Sequence, residues 1–322
     1  MDLEDECNLS LHVSKTEGNA FKLYIDWCRL SQEDAQDKIK DILHDIQTLD
    51  NKESSFLIEQ LTFLRVFFEL NNHPDASIVV DLFPTIIDHT KLSLFHHSPE
   101  GYSGKQSCFA ANWRILKEYS QLLVVTLNQT SNRLLEVAEN YKYLLLNIKH
   151  KGALSSVYES LLQILLKMVQ NQNTCQIPLD WLTSLLDSLE HVNPTLSFTR
   201  RSGGLPFLML ALVIAEFSTN KGIIALVIDK LISVMSNTNS NNESKIHAIN
   251  ILRILFKDSS IGSEIMNHCE IVLCSCVDGF TAKEWSIRNG CLMLFSSLVL
   301  RIFGCNREGS TQSINQITFE MF

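Results

Sequence analysis

The residues best suited to chemistry lie in Arg200-Arg201-Ser202-Gly203-Gly204-Leu205-Pro206. Two adjacent guanidinium groups precede a serine hydroxyl, two glycines and a proline, and an apolar run over 207–217 follows. Pro206 suits the first turn of a helix, where a missing N–H costs nothing. Gly203 and Gly204 let the backbone take positive φ or admit another chain closely. A helix start presents unpaired N–H groups and partial positive charge, so arginines just upstream suit a phosphate or a carboxylate. The same residues also make an ordinary inter-helix turn whose arginines pair with nearby acids, and both readings stand at this level.

Three other groups add hydrogen-bonding chemistry. Lys149-His150-Lys151-Gly152 is a basic elbow between two apolar helices. It is an anion contact or, more plainly, a set of cations at a helix C-terminus with glycine as its cap. His247, Asn250, Arg253 and Lys257 recur every three or four residues in an otherwise apolar helix. Such a stripe is read here as a wet face, with a concave binding surface or an inter-helix seam as the other options. In Trp285-Ser286-Ile287-Arg288-Asn289-Gly290 an arginine and an asparagine interrupt a packed pattern, and Arg288 can answer Glu284 one turn back. With Arg200 and Arg201, these groups could line one basic surface.

No catalytic arrangement is expected. The chain has no dinucleotide fingerprint, Walker sequence, serine elbow or paired-histidine zinc helix. No metal site is expected either. Cys269, Cys274, Cys276 and Cys291 lack a two-residue CxxC spacing and fall in apolar helical patterns, which reads as core packing. His96-His97 has no acid or cysteine at ligand spacing.

The elements that position these groups follow from composition and period. Of 322 residues 45% are apolar, and only 12 Gly and 6 Pro interrupt them, which favours long helices. The net charge of −9 is uneven: residues 1–107 carry 9 Lys+Arg against 19 Asp+Glu, and residues 108–322 carry 18 against 17. A polyanion would therefore meet the second part, through local clusters. Nine cysteines and an acidic start, Met1-Asp2-Leu3-Glu4-Asp5-Glu6, suggest a reducing cytoplasmic or nuclear setting. The strongest membrane candidate, 205–215, is too short to span before Glu216, so no membrane insertion is expected.

Apolar residues recur every three or four positions from Asn19 onward. Helices are expected around 21–27, after an N-cap at Ser31, over 53–70 and over 75–89, with a long loop at 91–107. Further helices fall at 109–128, 131–149, 153–170, 178–190, 205–217, 221–235, 243–256, 260–277 and 282–303. The last begins with a capping-box match, Thr281-Ala282-Lys283-Glu284. No run alternates with period two for long. The expected fold is all-α, an irregular armadillo/HEAT-like α-solenoid. Its parts are a disordered acidic stretch at 1–17, an acidic helical-repeat segment at 18–107, a signature helical-repeat region at 108–304 and an incomplete tail at 305–322.

Several strings, in order, carry a family resemblance: Asn147-Ile148-Lys149-His150-Lys151-Gly152-Ala153, Arg200-Arg201-Ser202-Gly203-Gly204-Leu205-Pro206, His247-Ala248-Ile249-Asn250-Ile251-Leu252-Arg253 and Trp285-Ser286-Ile287-Arg288-Asn289. Leu294-Phe295-Ser296-Ser297-Leu298 and Arg301-Ile302-Phe303-Gly304 extend it, so that it covers about 109–304. They resemble the thyroid adenoma-associated protein family and its fungal counterparts. The family motif usually has alanine where Gly203 stands, and its members are several times longer, so the chain is expected to be a shortened form. The resemblance implies a non-catalytic helical-repeat partner of a Rossmann-type ribose methyltransferase. That enzyme would bind S-adenosylmethionine and place a 2′-O-methyl group on an anticodon-loop nucleotide of tRNA, leaving this chain without a cofactor. Lys149, His150, Lys151, Arg200, Arg201, Ser202, Gly203, Gly204, Pro206, His247, Asn250, Arg253, Arg288 and Asn289 are then the candidate tRNA or partner contacts. The rival expectation is a protein-only adaptor that does not bind tRNA.

Overall fold

The computed structural model describes residues 19, 22, 32–48, 54–70, 77–95, 106–127, 131–189, 202–238 and 240–304. Arg200, Arg201, the 1–17 stretch, most of the first expected helix and the 305–322 tail lie outside the described residues. The described chain is all-α, with no strand among the described residues. Its helices are α1 (Gln32–Gln47), α2 (Ser54–Leu70), α3 (Ile78–Asp81), α4 (Phe83–Leu94), α5 (Gln106–Thr126), α6 (Leu134–Asn147) and α7 (Lys151–Gln170). There follow α8 (Ile177–Ser188), α9 (Leu205–Phe217), α10 (Ile223–Ser236), α11 (Asn242–Leu255), α12 (Gly262–Ile265), α13 (Cys269–Gly279) and α14 (Trp285–Phe303). They form two compact units: Met1–Leu144 with Ile148–Ile164, and Leu145–Asn147 with Leu165–Phe322.

In the first unit α2 is apolar on more than one face, and α5 and α1 both pack against it. Leu61, Phe63, Leu64 and Phe67 are buried there. The span 75–89, expected as one helix, is α3 and α4 broken at Leu82. Pro84 sits in the first turn of α4, where it lacks the N–H that would continue α3 and its ring would strike the carbonyl four residues back. The helix then runs to Leu94, into the stretch read as loop, because Leu94 is fully buried. Tyr119 donates to the Val79 carbonyl at 3.0 Å, satisfying the end of α3. Tyr141 donates to the Ser120 hydroxyl at 3.0 Å. Both rings are fully buried, where a tyrosine hydroxyl without a partner would carry a desolvation cost.

In the second unit the helices stack in order. α8 contacts α9 and α10, α9 contacts α10 and α11, α10 contacts α11 and α13, and α11 contacts α14, which packs on α13. Central α9 is apolar around its circumference, and Leu208, Met209, Leu210, Ala211, Leu212 and Val213 are all buried. A helix of that kind must be covered on every side, and each large side chain buried contributes about 1.5–3 kcal/mol. Asn241 caps α11 by accepting from the Ser244 amide at 2.7 Å. The other end of α11 is closed by Arg301 of α14, which donates to the Phe256 carbonyl at 3.0 Å and to the Asp258 carbonyl. The Asp258 carboxylate accepts from the Ser260 amide at 2.8 Å.

Two expectations about α14 are corrected. The capping box does not form: the helix starts at Trp285, and Glu284 at the N-cap makes no side-chain cap bond. Thr281 donates to the Asp278 carbonyl at 2.8 Å instead. By length and composition, Trp285–Phe303 is also apolar enough to cross a membrane, which 205–215 is not. One side of it lies against α11 and α13, while Trp285, Leu292, Leu300 and Phe303 remain exposed.

Candidate functional site

The turn before α9 is built from strained backbone. Ser202 has φ 59° and Gly203 φ 54°, and Ser202 is the one non-glycine residue with positive φ among the described residues. A side chain in this left-handed region costs about 1–2 kcal/mol, which glycine at the next position avoids. What holds Ser202 there is its hydroxyl. Its Oγ accepts from Asn250 Nδ2 at 3.0 Å and lies 2.7 Å from His247 Nδ1. Ser202, His247 and Asn250 are 3%, 7% and 4% exposed. Two internal hydrogen bonds at about 0.5–1.5 kcal/mol each are of the size needed to offset the strain.

Gly204 follows with an ordinary φ of −83°, so its role is steric. A Cβ at this position would fall on the backbone carbonyl oxygen of Leu145 in α6. Pro206 then occupies the first turn of α9, as expected. The open cluster of N–H groups that the sequence suggested is not present. Leu205 donates to the Ser202 carbonyl at 3.2 Å, Phe207 and Leu208 donate to the Gly204 carbonyl at 3.1 and 3.0 Å, and Pro206 has no N–H.

The polar stripe of α11 is therefore not a wet face. His247 and Asn250 turn inward to Ser202, and Arg253, 8% exposed, donates to Met293 Sδ at 3.5 Å. Asn289 Nδ2 lies 4.0 Å from the same sulfur. Only Lys257 at the end of the stripe is exposed. Arg288 does not answer Glu284. Its Nη1 donates to the carbonyls of Ala282 and Lys283, at 2.7 Å each, and fixes the turn into α14. Leu145, Met293 and Arg301 have structural roles here that no local pattern announced.

Burial holds the His247 pKa below its ordinary 6.5. The ring is thus neutral near pH 7, and Nδ1 can accept the Ser202 hydroxyl hydrogen. As pH falls below 6.5 the unfolded chain takes up a proton at this histidine before the folded chain does, so stability declines. His89 and His150 are shifted the same way by burial. In urea unfolding across pH 7.5 to 5, His247→Gln is expected to flatten part of this decline. An unchanged slope would show that His247 is not held neutral.

The basic elbow belongs to the first unit. Lys149 and Lys151 are exposed. Gly152 is not the C-cap of α6: Ile148 takes that position with extended backbone, and Gly152 lies in the first turn of α7. A Cβ at Gly152 would come 2.9 Å from the Trp113 indole. His150 Nδ1 accepts from the Ala153 amide at 3.2 Å and so caps α7, while its ring tilts against Trp113 at 5.9 Å between centroids. Among the described residues no group of three or more His, Cys, Asp or Glu could hold a metal ion. Burial pushes the Cys276 and Cys291 thiols up to about 12 and about 11. Cys269, Cys276 and Cys291 are buried, but Cys274, expected in the core, is exposed.

These features define an all-α protein of stacked helices in which the turn Ser202-Gly203-Gly204 is held by a buried polar knot. The chain belongs to the family described as THADA/TRM732, DUF2428, whose model matches residues 26–286. It is similar to the Gallus gallus protein named tRNA (32-2'-O)-methyltransferase regulator THADA, with 30% identity over 220 residues, covering 61% of this chain and 11% of that protein. It is also similar to the Schizosaccharomyces pombe tRNA (32-2'-O)-methyltransferase regulator trm732, with 27% identity over 220 residues, covering 63% of this chain and 14% of that protein. The chain thus spans 11% and 14% of the lengths of these two relatives. A crystal structure of an engineered protein overlaps 81% of this chain and 97% of its own at 11% identity, with a TM-score of 0.29.

Proposed function

We propose that the chain is a non-catalytic scaffold supporting 2′-O-ribose methylation of an anticodon-loop nucleotide of tRNA in the cytoplasm. A partner methyltransferase of Rossmann type would bring the S-adenosylmethionine. The observation that carries this reading is the Ser202–His247–Asn250 knot. It anchors Ser202, the residue that directly follows Arg200-Arg201 in the chain. Phosphate contacts of this kind position a nucleic acid without reading its sequence. In this reading His247 and Asn250 hold the turn, and Arg253, Arg288 and Asn289 hold its surroundings; Arg200 and Arg201 make the contact. The exposed Lys149 and Lys151 are further candidates. The names of the relatives point the same way.

The test is tRNA binding against salt. Each phosphate neutralised contributes about 0.7–0.9 to the slope of log affinity on log salt. Arg200→Ala with Arg201→Ala is expected to reduce that slope by about 1.4–1.8 while leaving helicity intact. Unchanged binding, or lost helicity, would overturn the assignment. Absence of any salt-dependent tRNA binding would favour the protein-only adaptor, to which the acidic balance of residues 1–107 also lends itself.

A further inference from the structure

The first unit carries a groove of about 420 Å³ among α3, α4 and α6. We propose that it docks a basic, amphipathic segment of a protein partner, one presenting a lysine or arginine beside an apolar side chain. This does not rest on the tRNA reading.

The floor is apolar, formed by Phe83, Pro84 and Ile87. It is backed by rigid packing, since the Phe83 ring lies 6.5 Å from both the Tyr119 and Tyr141 rings. Three carboxylates line the groove, Asp81 from α3, Asp88 from α4 and Glu136 from α6. Their side chains are 50%, 71% and 51% exposed. Among the described residues lining it, the one cation is Arg133, and that guanidinium is committed to the protein itself. Its Nε and Nη2 donate to the two Glu136 oxygens at 2.9 and 2.8 Å. Its Nη1 donates to Asp81 at 2.7 Å and to the Ser77 carbonyl at 3.1 Å.

Arg133 therefore shapes the wall and leaves the lining with an excess of carboxylate. Lys91 pairs with Asp88, but both are exposed. An ion pair in water contributes little and can give way to a partner's cation. The surrounding sequence reinforces the sign, with 19 acids against 9 bases over residues 1–107. A phosphate backbone would be repelled here, and an uncharged apolar helix would leave the rim unmatched. A cation on an aliphatic stem satisfies both parts, its stem on the floor and its head at the rim.

The test uses a fluorescein-labelled peptide of leucine, alanine and arginine, with a twin carrying glutamate in place of each arginine. Polarisation should show binding of the basic peptide alone, weakened about tenfold by Asp88→Lys and less by Asp88→Asn. Glu159→Lys makes the same charge change on an exposed residue of α7 and should have little effect. Asp88 is exposed enough that either replacement leaves the fold intact, which circular dichroism would verify. Equal weakening by Asp88→Lys and Glu159→Lys would mean diffuse attraction to an acidic protein and would overturn the proposal. So would equal binding of the glutamate twin, or no saturable binding of the basic peptide.

Discussion

Gly204→Ala is expected to destabilise the second unit by about 3 kcal/mol or more, the upper end for forcing an extra methyl group into a packed site. The added Cβ meets the backbone carbonyl oxygen of Leu145. A side chain there could swing aside, but a backbone carbonyl in the last turn of a helix moves only with the chain around it. Relief therefore requires the backbone at Leu145 and the start of α9 to move apart, and α9 carries the most continuous apolar run in the unit. Thermal unfolding should drop by roughly 6 °C or more. The neighbouring glycine provides the internal control. Gly203 has φ 54° and needs only the left-handed conformation, so Gly203→Ala should cost about 1 kcal/mol. Adjacent glycines thus separate into one steric and one conformational requirement. Equal effects of the two replacements would show that the approach of α9 to Leu145 is not tight.

Helices were readable because their apolar period is local. The bounds 205–217 coincide with α9 since Pro206 starts it and nothing polar intrudes before Glu216. What faces a helix is not local. A polar stripe spaced like His247, Asn250 and Arg253 looks the same whether water or another helix meets it. Here the partners are Ser202, 45 residues away from His247, and Met293, 40 away from Arg253. The same blindness made Thr281 and Glu284 look like a capping box, although Arg288 takes the carbonyls that fix that turn. The split at Leu82 was available from Pro84, whose missing N–H breaks a helix at this point, but the hydrophobic period around it masked the break. Within the arginine turn, the residue types were legible and the strain was not. Two successive left-handed residues can be anticipated from Gly203 but not from Ser202, whose conformation depends on the hydroxyl partners it finds in α11.

Those partners make Ser202 the place where stability and the proposed function can be separated. Ser202→Ala is expected to cost about 2–6 kcal/mol, because two buried groups each lose their hydrogen bond to Ser202 and each such loss is worth about 1–3 kcal/mol. The left-handed strain remains in that variant. Ser202→Gly loses the same hydroxyl but relieves the strain, so it should be more stable than Ser202→Ala by about 1 kcal/mol. A double-mutant cycle of Ser202→Ala with His247→Ala should show a coupling of about 0.5–3 kcal/mol, as for residues in direct contact. Simple additivity would mean that the 2.7 Å contact contributes nothing. Neither Ser202 variant changes a charge. If the knot serves to hold Arg200 and Arg201 in place, tRNA affinity measured on fully folded Ser202→Gly falls while its salt slope stays that of the parent protein. The double arginine variant should lower the slope itself. A Ser202→Gly protein that binds tRNA as tightly as the parent would make the knot a purely structural device, and the arginines would then need no fixed point to act.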